Sequence, residues 1–288
     1  MRKILSVLLL IFTLVVMAAC STGPVGNDKL VIGMECGYQP FNWTEKNESE
    51  FTLPIFGTNQ YADGFDIQIA KYLSEETGKE VIIKKYEWNA LIPALQNGEI
   101  NMILAGMTDT PERRESIDFT TTYLASDLAF LVKTENLPEG NSKENPISYT
   151  ELLELFKNKS LVCQANVVGD EFIDTYFASK ESYNIHHNSP QDTYPLAAYD
   201  VKSGAAFAMP AELPVIEAMT NLGGLSVLYV DYSFLSAEDI NGLTISIGIK
   251  KGNTELADEI NAALAKLPDS VKASMMGAAA QRSAKNVA

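Results

Sequence analysis

Ala105-Gly106-Met107-Thr108-Asp109-Thr110-Pro111-Glu112-Arg113-Arg114 follows directly on the apolar run that begins at Ile100. The run reads as a strand ending at Ala105. Thr110 suits a helix N-cap, and Pro111 fits the first helical position, where its missing N–H leaves nothing unsatisfied. The stretch therefore puts a helix start, with free N–H groups and a positive dipole end, at the carboxyl end of a strand. Open α/β sheets bind their ligands at that place. Arg113, one turn in, can fork onto a carboxylate, and the Thr108 hydroxyl can add a donor.

Upstream, Leu30 to Met34 reads as a strand. The Asp63-Gly64 turn leads into a helix with Phe65, Ile69, Ala70 and Leu73 on one face, stopped by Gly78. Val81 to Tyr86 is a second strand, followed by a helix around Leu91, Ile92 and Leu95 that ends at Gly98. This βαβα order predicts a largely parallel sheet with helices on both faces. The pattern breaks over Lys133 to Pro146 and begins again, with a helix at Tyr149 to Phe156, a strand at Ser160 to Gln164, a helix at Gly169 to Phe177 and a strand at Ala205 to Met209. A second α/β unit is implied. Thr244 to Lys250 is a late strand, and Thr254 to Leu267 carries Leu256, Ile260, Leu264 and Leu267 at helical spacing. If that last part packs on the first unit, the chain crosses twice, near Leu128 to Lys133 and near Leu243 to Lys250, and two crossings make a hinge.

Arg2 and Lys3, the apolar run Ile4 to Val16 and the small Ala18 and Ala19 have the layout of a secretory signal. Val16-Met17-Ala18-Ala19-Cys20 resembles a bacterial lipoprotein box, with Met17 where an aliphatic residue is more usual. The resemblance implies cleavage before Cys20 and lipidation of that residue, which anchors the chain to a lipid bilayer. Residues 1–19 are thus read as signal peptide and 20–28 as a lipidated tether. Without Arg2 and Lys3, the 22 basic residues become 20 against 37 acidic ones, a formal charge of −17. Such a chain is not expected to bind nucleic acid or anionic membrane surface. Cys36 and Cys163 read as two small buried apolar residues, although a bridge between them would lock the lobes together. His186 and His187 have no acidic or cysteine partners at ligand spacing, and no metal or cofactor is expected.

Four further pieces occur in order: Met34-Glu35-Cys36-Gly37-Tyr38-Gln39-Pro40-Phe41-Asn42-Trp43, Gly64-Phe65-Asp66-Ile67, Glu87-Trp88 before Leu91-Ile92-Pro93-Ala94-Leu95, and Ala206-Phe207-Ala208-Met209-Pro210-Ala211-Glu212-Leu213-Pro214. With the Thr-Pro-Glu-Arg stretch they resemble the polar amino-acid-binding proteins of ATP-binding-cassette importers, the bacterial extracellular solute-binding proteins of family 3. The likeness covers nearly all of the chain beyond the leader. It implies a two-lobed type II periplasmic-binding-protein fold, each lobe a mainly parallel sheet flanked by helices, with residues 29–130 and 246–288 in lobe 1 and 131–245 in lobe 2. It also implies a monomer that closes around an amino acid at the extracytoplasmic face of the cell membrane and delivers it to the importer's permease.

Carried over position by position, the resemblance gives Arg113 the ligand α-carboxylate, helped by Thr108 and the backbone at Gly106. Tyr38 and Trp88 become aromatic walls around the ligand, Glu35 a contact to its side chain, and Glu212 the acceptor for its α-ammonium. Val162-Cys163-Gln164-Ala165-Asn166-Val167 matches the loop that completes the site from lobe 2. Gln164 is a polar contact there, and Asn166 and Val167 stand where members often place Gly and Thr or Ser. Glu35 and Glu212 together favour a cationic or amide-bearing ligand over an acidic one, because buried like charges repel. The same fold also resembles extracytoplasmic enzymes such as cyclohexadienyl dehydratases, in which a cleft carboxylate moves a proton, and ligand sensors that dock on membrane receptors.

Overall fold

The computed structural model describes residues 25–285 except 126, 237–238 and 240–242. The expected signal peptide, the Cys20 anchor and the tether up to residue 24 lie outside the described residues. Among the described residues, no helix is long and apolar enough to cross a membrane.

Two five-stranded sheets with matching topology form the two lobes. In the first, Glu80–Lys85, Lys29–Met34 and Met102–Ile103 lie parallel, followed by Thr244–Lys250 running the opposite way and Ile117–Ala125. In the second, His186–His187, Ser160–Leu161 and Ala208–Glu212 lie parallel, followed by the reversed strand Leu128–Lys133 and then Leu225–Leu228. The single reversed strand of each sheet is the one that enters directly from the other lobe. Thr244 pairs with Ala125 and Ile245 with Leu124, so the outgoing and returning segments run side by side. A small antiparallel sheet of Gly37–Tyr38, Asn42–Glu45, Tyr61–Asp63 and Leu53–Pro54 is added to the first lobe.

Local signals explain the helices around the first sheet. Phe65–Thr77 buries Phe65, Ile69, Ala70 and Leu73 and ends at Gly78, whose φ of 69° is the left-handed conformation that glycine reaches without strain. Pro111–Ser116 starts as read, with the Thr110 hydroxyl accepting from Arg113 N at 3.3 Å and proline at the first position. In the second lobe, Tyr149–Phe156 carries a complete capping box between Ser148 and Glu151. Its Phe156 joins Phe130, Phe172 and Phe177 in an edge-to-face aromatic core. The helix expected over Gly169 to Phe177 is Val168–Ile173 followed by a widened π-helical turn over Asp174–Ala178.

Among the elements with no counterpart in the sequence reading are the small sheet, the long strand Ile117–Ala125, the strands His186–His187 and Leu225–Leu228, and the helices Tyr194–Ser203, Leu213–Met219 and Asp269–Lys285. That last helix packs on Phe65–Thr77 of the first lobe and on Leu213–Met219 of the second. Arg282 fixes it to the first lobe through two 2.8 Å bonds to Asp63.

Candidate functional site

The carboxyl ends of the two sheets face one another across a narrow cleft. Glu35, Tyr38, Trp88, Gly106, Thr108 and Arg113 line it from the first lobe, and Gln164, Val167, Val168, Tyr194 and Glu212 from the second. Glu35 follows the end of the strand Lys29–Met34, and Glu212 ends the strand Ala208–Glu212. Both therefore sit at a strand terminus, where side chains leave the sheet and meet the opposite lobe.

Arg113 is held from both sides. Its Nη1 donates to the Thr108 carbonyl at 2.7 Å, its Nη2 to the Asn166 carbonyl at 3.1 Å, and its guanidinium lies 5.3 Å from the Trp88 ring centre. The neighbouring Arg114 turns outward instead, pairing with Asp109 through Nε at 2.6 Å. Of the two adjacent arginines, only Arg113 reaches the cleft.

Tyr38 donates its hydroxyl to Glu212 across the cleft and stacks on Tyr194 at 4.9 Å and on Phe41 at 5.1 Å. The aromatic wall is thus Phe41–Tyr38–Tyr194, while Trp88 stands over the arginine. The physical reason is reach: the small sheet presents Tyr38 beside the start of the helix Tyr194–Ser203, whereas Trp88 lies on a separate turn next to Arg113. Gly106 donates its N–H to the Tyr123 hydroxyl at 3.1 Å, so its carbonyl is the polar group it retains. Asn166 sits at the exposed rim, and Val167 and Val168 line the cleft in its place. Gln164 lies between the lobes, its Nε2 3.4 Å from both Glu35 oxygens and its Oε1 accepting from Tyr194 N at 3.1 Å.

Tyr194 and Val168 are lining residues that the sequence reading passed over, and Tyr194 is the one with a polar group. The signal for Tyr194 was present, since Thr193-Tyr194-Pro195 repeats the cap-and-proline pattern of Thr110-Pro111, and the Thr193 hydroxyl accepts from Leu196 N. Cys36 and Cys163 are both free thiols and both buried.

Beneath the cleft, Asp66 accepts from Asn42 Nδ2 and from the Tyr123 hydroxyl, each at 2.8 Å, and Asn42 Oδ1 accepts from Cys36 N at 2.7 Å. This chain ties the loop that carries Glu35 to the loop that carries Gly106. Burial pushes the Asp66 carboxyl up to about 7, against the opposing donors from Asn42 and Tyr123. Burial likewise pushes Glu35 up to about 7, opposed by Gln164 and reinforced by Glu87. Burial raises Glu212 as well, with the Tyr38 hydroxyl and the Arg113 charge pulling the other way.

Between the ordinary carboxyl range and about 7, the folded protein therefore keeps protons that the unfolded chain releases, and stability falls as pH rises through that window. Thermal melts are expected to show a melting temperature that declines from pH 4.5 to pH 7.5. Glu35→Gln, similar in shape and uncharged, is expected to make that decline shallower; a melting temperature that climbs steadily to pH 7 would refute this account of the buried acids.

The sequence profile of the bacterial extracellular solute-binding proteins, family 3, matches residues 30–275. The chain belongs to that family. Among curated relatives of this solute-binding protein, the ABC transporter glutamine-binding protein GlnH of Bacillus subtilis is 26% identical over 93% of each chain. The arginine-binding extracellular protein ArtP of the same organism is 29% identical over 47% of this chain, which spans half of that protein's length. Among solved structures, an ancestral arginine-binding protein bound to arginine is 26% identical, with a TM-score of 0.67 over 87% of this chain and 97% of that one. The match to the family profile ends within the C-terminal helix, so Arg282, the partner of Asp63, lies beyond the matched segment.

Proposed function

We propose that this solute-binding protein captures an amino acid with a cationic or amide side chain by closing its two lobes, and delivers it to the permease of an ATP-binding-cassette importer. The observation that carries the reading is the meeting of Arg113 from one lobe and Glu212 from the other in one aromatic-walled cleft, beside Glu35 and Gln164. A guanidinium and a carboxylate on opposite lobes match the two charges of an amino acid, and a zwitterion gains both contacts only when the lobes meet. In this assignment Arg113 and the Thr108 hydroxyl take the α-carboxylate, Glu212 takes the α-ammonium, and Glu35 with Gln164 takes the side chain. A cation beside Glu35 compensates a buried carboxylate that an acidic ligand would repel. The names of the arginine- and glutamine-binding relatives support the same ligand class.

The reading assigns residues 29–130 and 246–288 to one lobe and 131–245 to the other, with a monomer as the working unit and Cys20 as its lipid anchor. Calorimetric titration with the common amino acids is expected to give at least one ligand below about 100 µM, with arginine and glutamine ahead of glutamate and aspartate. Silence across the whole panel would defeat the proposal. In the same preparation prephenate is expected to remain unconsumed, whereas turnover would favour the dehydratase reading of the cleft carboxylates. Cys20→Ser is expected to move the protein from the membrane fraction to the soluble fraction.

A further inference from the structure

Asn166 has φ 60°, in the left-handed region that asparagine tolerates better than most residues with a side chain. That conformation accompanies a carbonyl directed across the cleft, where it accepts from Trp88 Nε1 at 3.1 Å and from Arg113 Nη2 at 3.1 Å. Its side-chain Nδ2 donates to Asn89 Oδ1 at 3.0 Å. One residue of the second lobe thus makes three hydrogen bonds to three residues of the first. A glycine in the same conformation would keep the two carbonyl bonds and lose the third.

Behind Asn166 lies a second set of contacts, all within its own lobe. Asn166 N donates to Asp170 Oδ2 at 3.1 Å. The other oxygen, Asp170 Oδ1, is 3.1 Å from His187 Nε2, and His187 Nδ1 is 2.8 Å from Asp174 Oδ1. Asp170 Oδ1 and His187 Nε2 are both shielded from solvent and have no other hydrogen-bond partner. A proton between them satisfies both atoms, and with Asp174 accepting at the other ring nitrogen, only the doubly protonated imidazole serves both carboxylates. The hydrogen bond to Asp170 raises the ring's proton affinity, and Asp174 adds to it against the effect of burial. The charged groups facing the ring are Asp170 of the helix Val168–Ile173 and Asp174 of the turn after it; the strand Ser160–Leu161, which pairs with His186–His187, presents uncharged residues.

We propose that Asn166 is the latch of the closed form and that Asp170 and His187 are the positioning residues that aim it. The inference rests on capture by lobe closure. Bonds that form only after the lobes meet slow opening and leave encounter unchanged, so the latch acts on ligand release.

The protein's two tryptophans supply a readout that needs no ligand. Trp43 is buried at 2% exposure, so acrylamide quenching reports chiefly on Trp88 at the latch. In the ligand-free full chain, Asp170→Ala and His187→Gln are expected to increase Trp88 quenching. With L-arginine as probe, both are expected to speed release by about three- to tenfold in stopped flow, with association changed by less than about twofold. Asp170→Asn, whose amide oxygen can still accept from Asn166 N, is expected to bring quenching and release back toward the wild type. Asn166→Gly is expected to lose only the share due to Asn89. Wild-type release should quicken as pH rises through the His187 titration, and that step should vanish in His187→Gln.

Wild-type quenching in Asp170→Ala would overturn the latch, as would slowed association with release unchanged. A wild type that fails to bind L-arginine, L-glutamine and L-histidine would defeat the amino-acid reading instead, and the quenching arm would still decide the latch.

Discussion

Arg113→Ala is expected to weaken amino-acid binding by at least about thirtyfold, the loss usual when one member of a desolvated charge pair is truncated. The guanidinium is oriented before any ligand arrives, by the Thr108 carbonyl at 2.7 Å and the face of Trp88. A ligand carboxylate therefore meets a cation that has already surrendered most of its side-chain freedom. Removing it also leaves Glu212, buried at 7% exposure, without the opposing charge that helps it ionise. Arg113→Lys is expected to recover little, because a single ammonium cannot fork between the Thr108 and Asn166 carbonyls while facing a third acceptor. Titration calorimetry on variants with unchanged melting temperature is the measurement, and a change of less than about threefold in Arg113→Ala would remove this residue from the site.

Gly64→Ala is expected to cost roughly 3–5 kcal/mol of folding stability, combining backbone strain with an overpacked contact. Gly64 has φ 136°, a region closed to residues with a side chain. An added Cβ would stand 2.1 Å from the Phe41 carbonyl oxygen and 2.8 Å from Asn42 Cα, and these are backbone atoms with no rotamer to escape into. The close approach has a use. The N–H groups of Phe65 and Asp66, at the start of the helix, donate to the carbonyls of Pro40 and Phe41 at 3.0 and 2.8 Å. Forcing the two segments apart breaks these bonds and disturbs the Asn42–Asp66 pair, and with it the Phe41–Tyr38 wall of the cleft. Urea unfolding of the variant tests this, and a loss under about 1 kcal/mol would show that the helix start can shift freely.

The parts of the molecule legible in the sequence are those whose causes lie close together along the chain. Thr110 and Pro111 start their helix wherever it goes, and Gly78 and Gly98 end theirs, because each device involves atoms a few residues apart. Alternation of apolar strands with such helices was enough for two α/β units. Glu35, Tyr38, Thr108, Arg113, Gln164 and Glu212 were readable as one group through their resemblance to a family pattern. The small sheet was not readable, since strands of two to four residues carry too little alternation to separate them from loop.

What the sequence determined alone is the α/β class, the two units and the helix start that faces Arg113 toward a strand end, all set by local backbone preference and by periodic burial. What only the tertiary structure decided is which groups meet. Tyr38 reaches Glu212 across 174 positions and Asn166 takes Trp88 across 78, while Tyr194 displaces Trp88 from the aromatic stack. Such pairings depend on how the two lobes come together, and no local preference encodes that geometry.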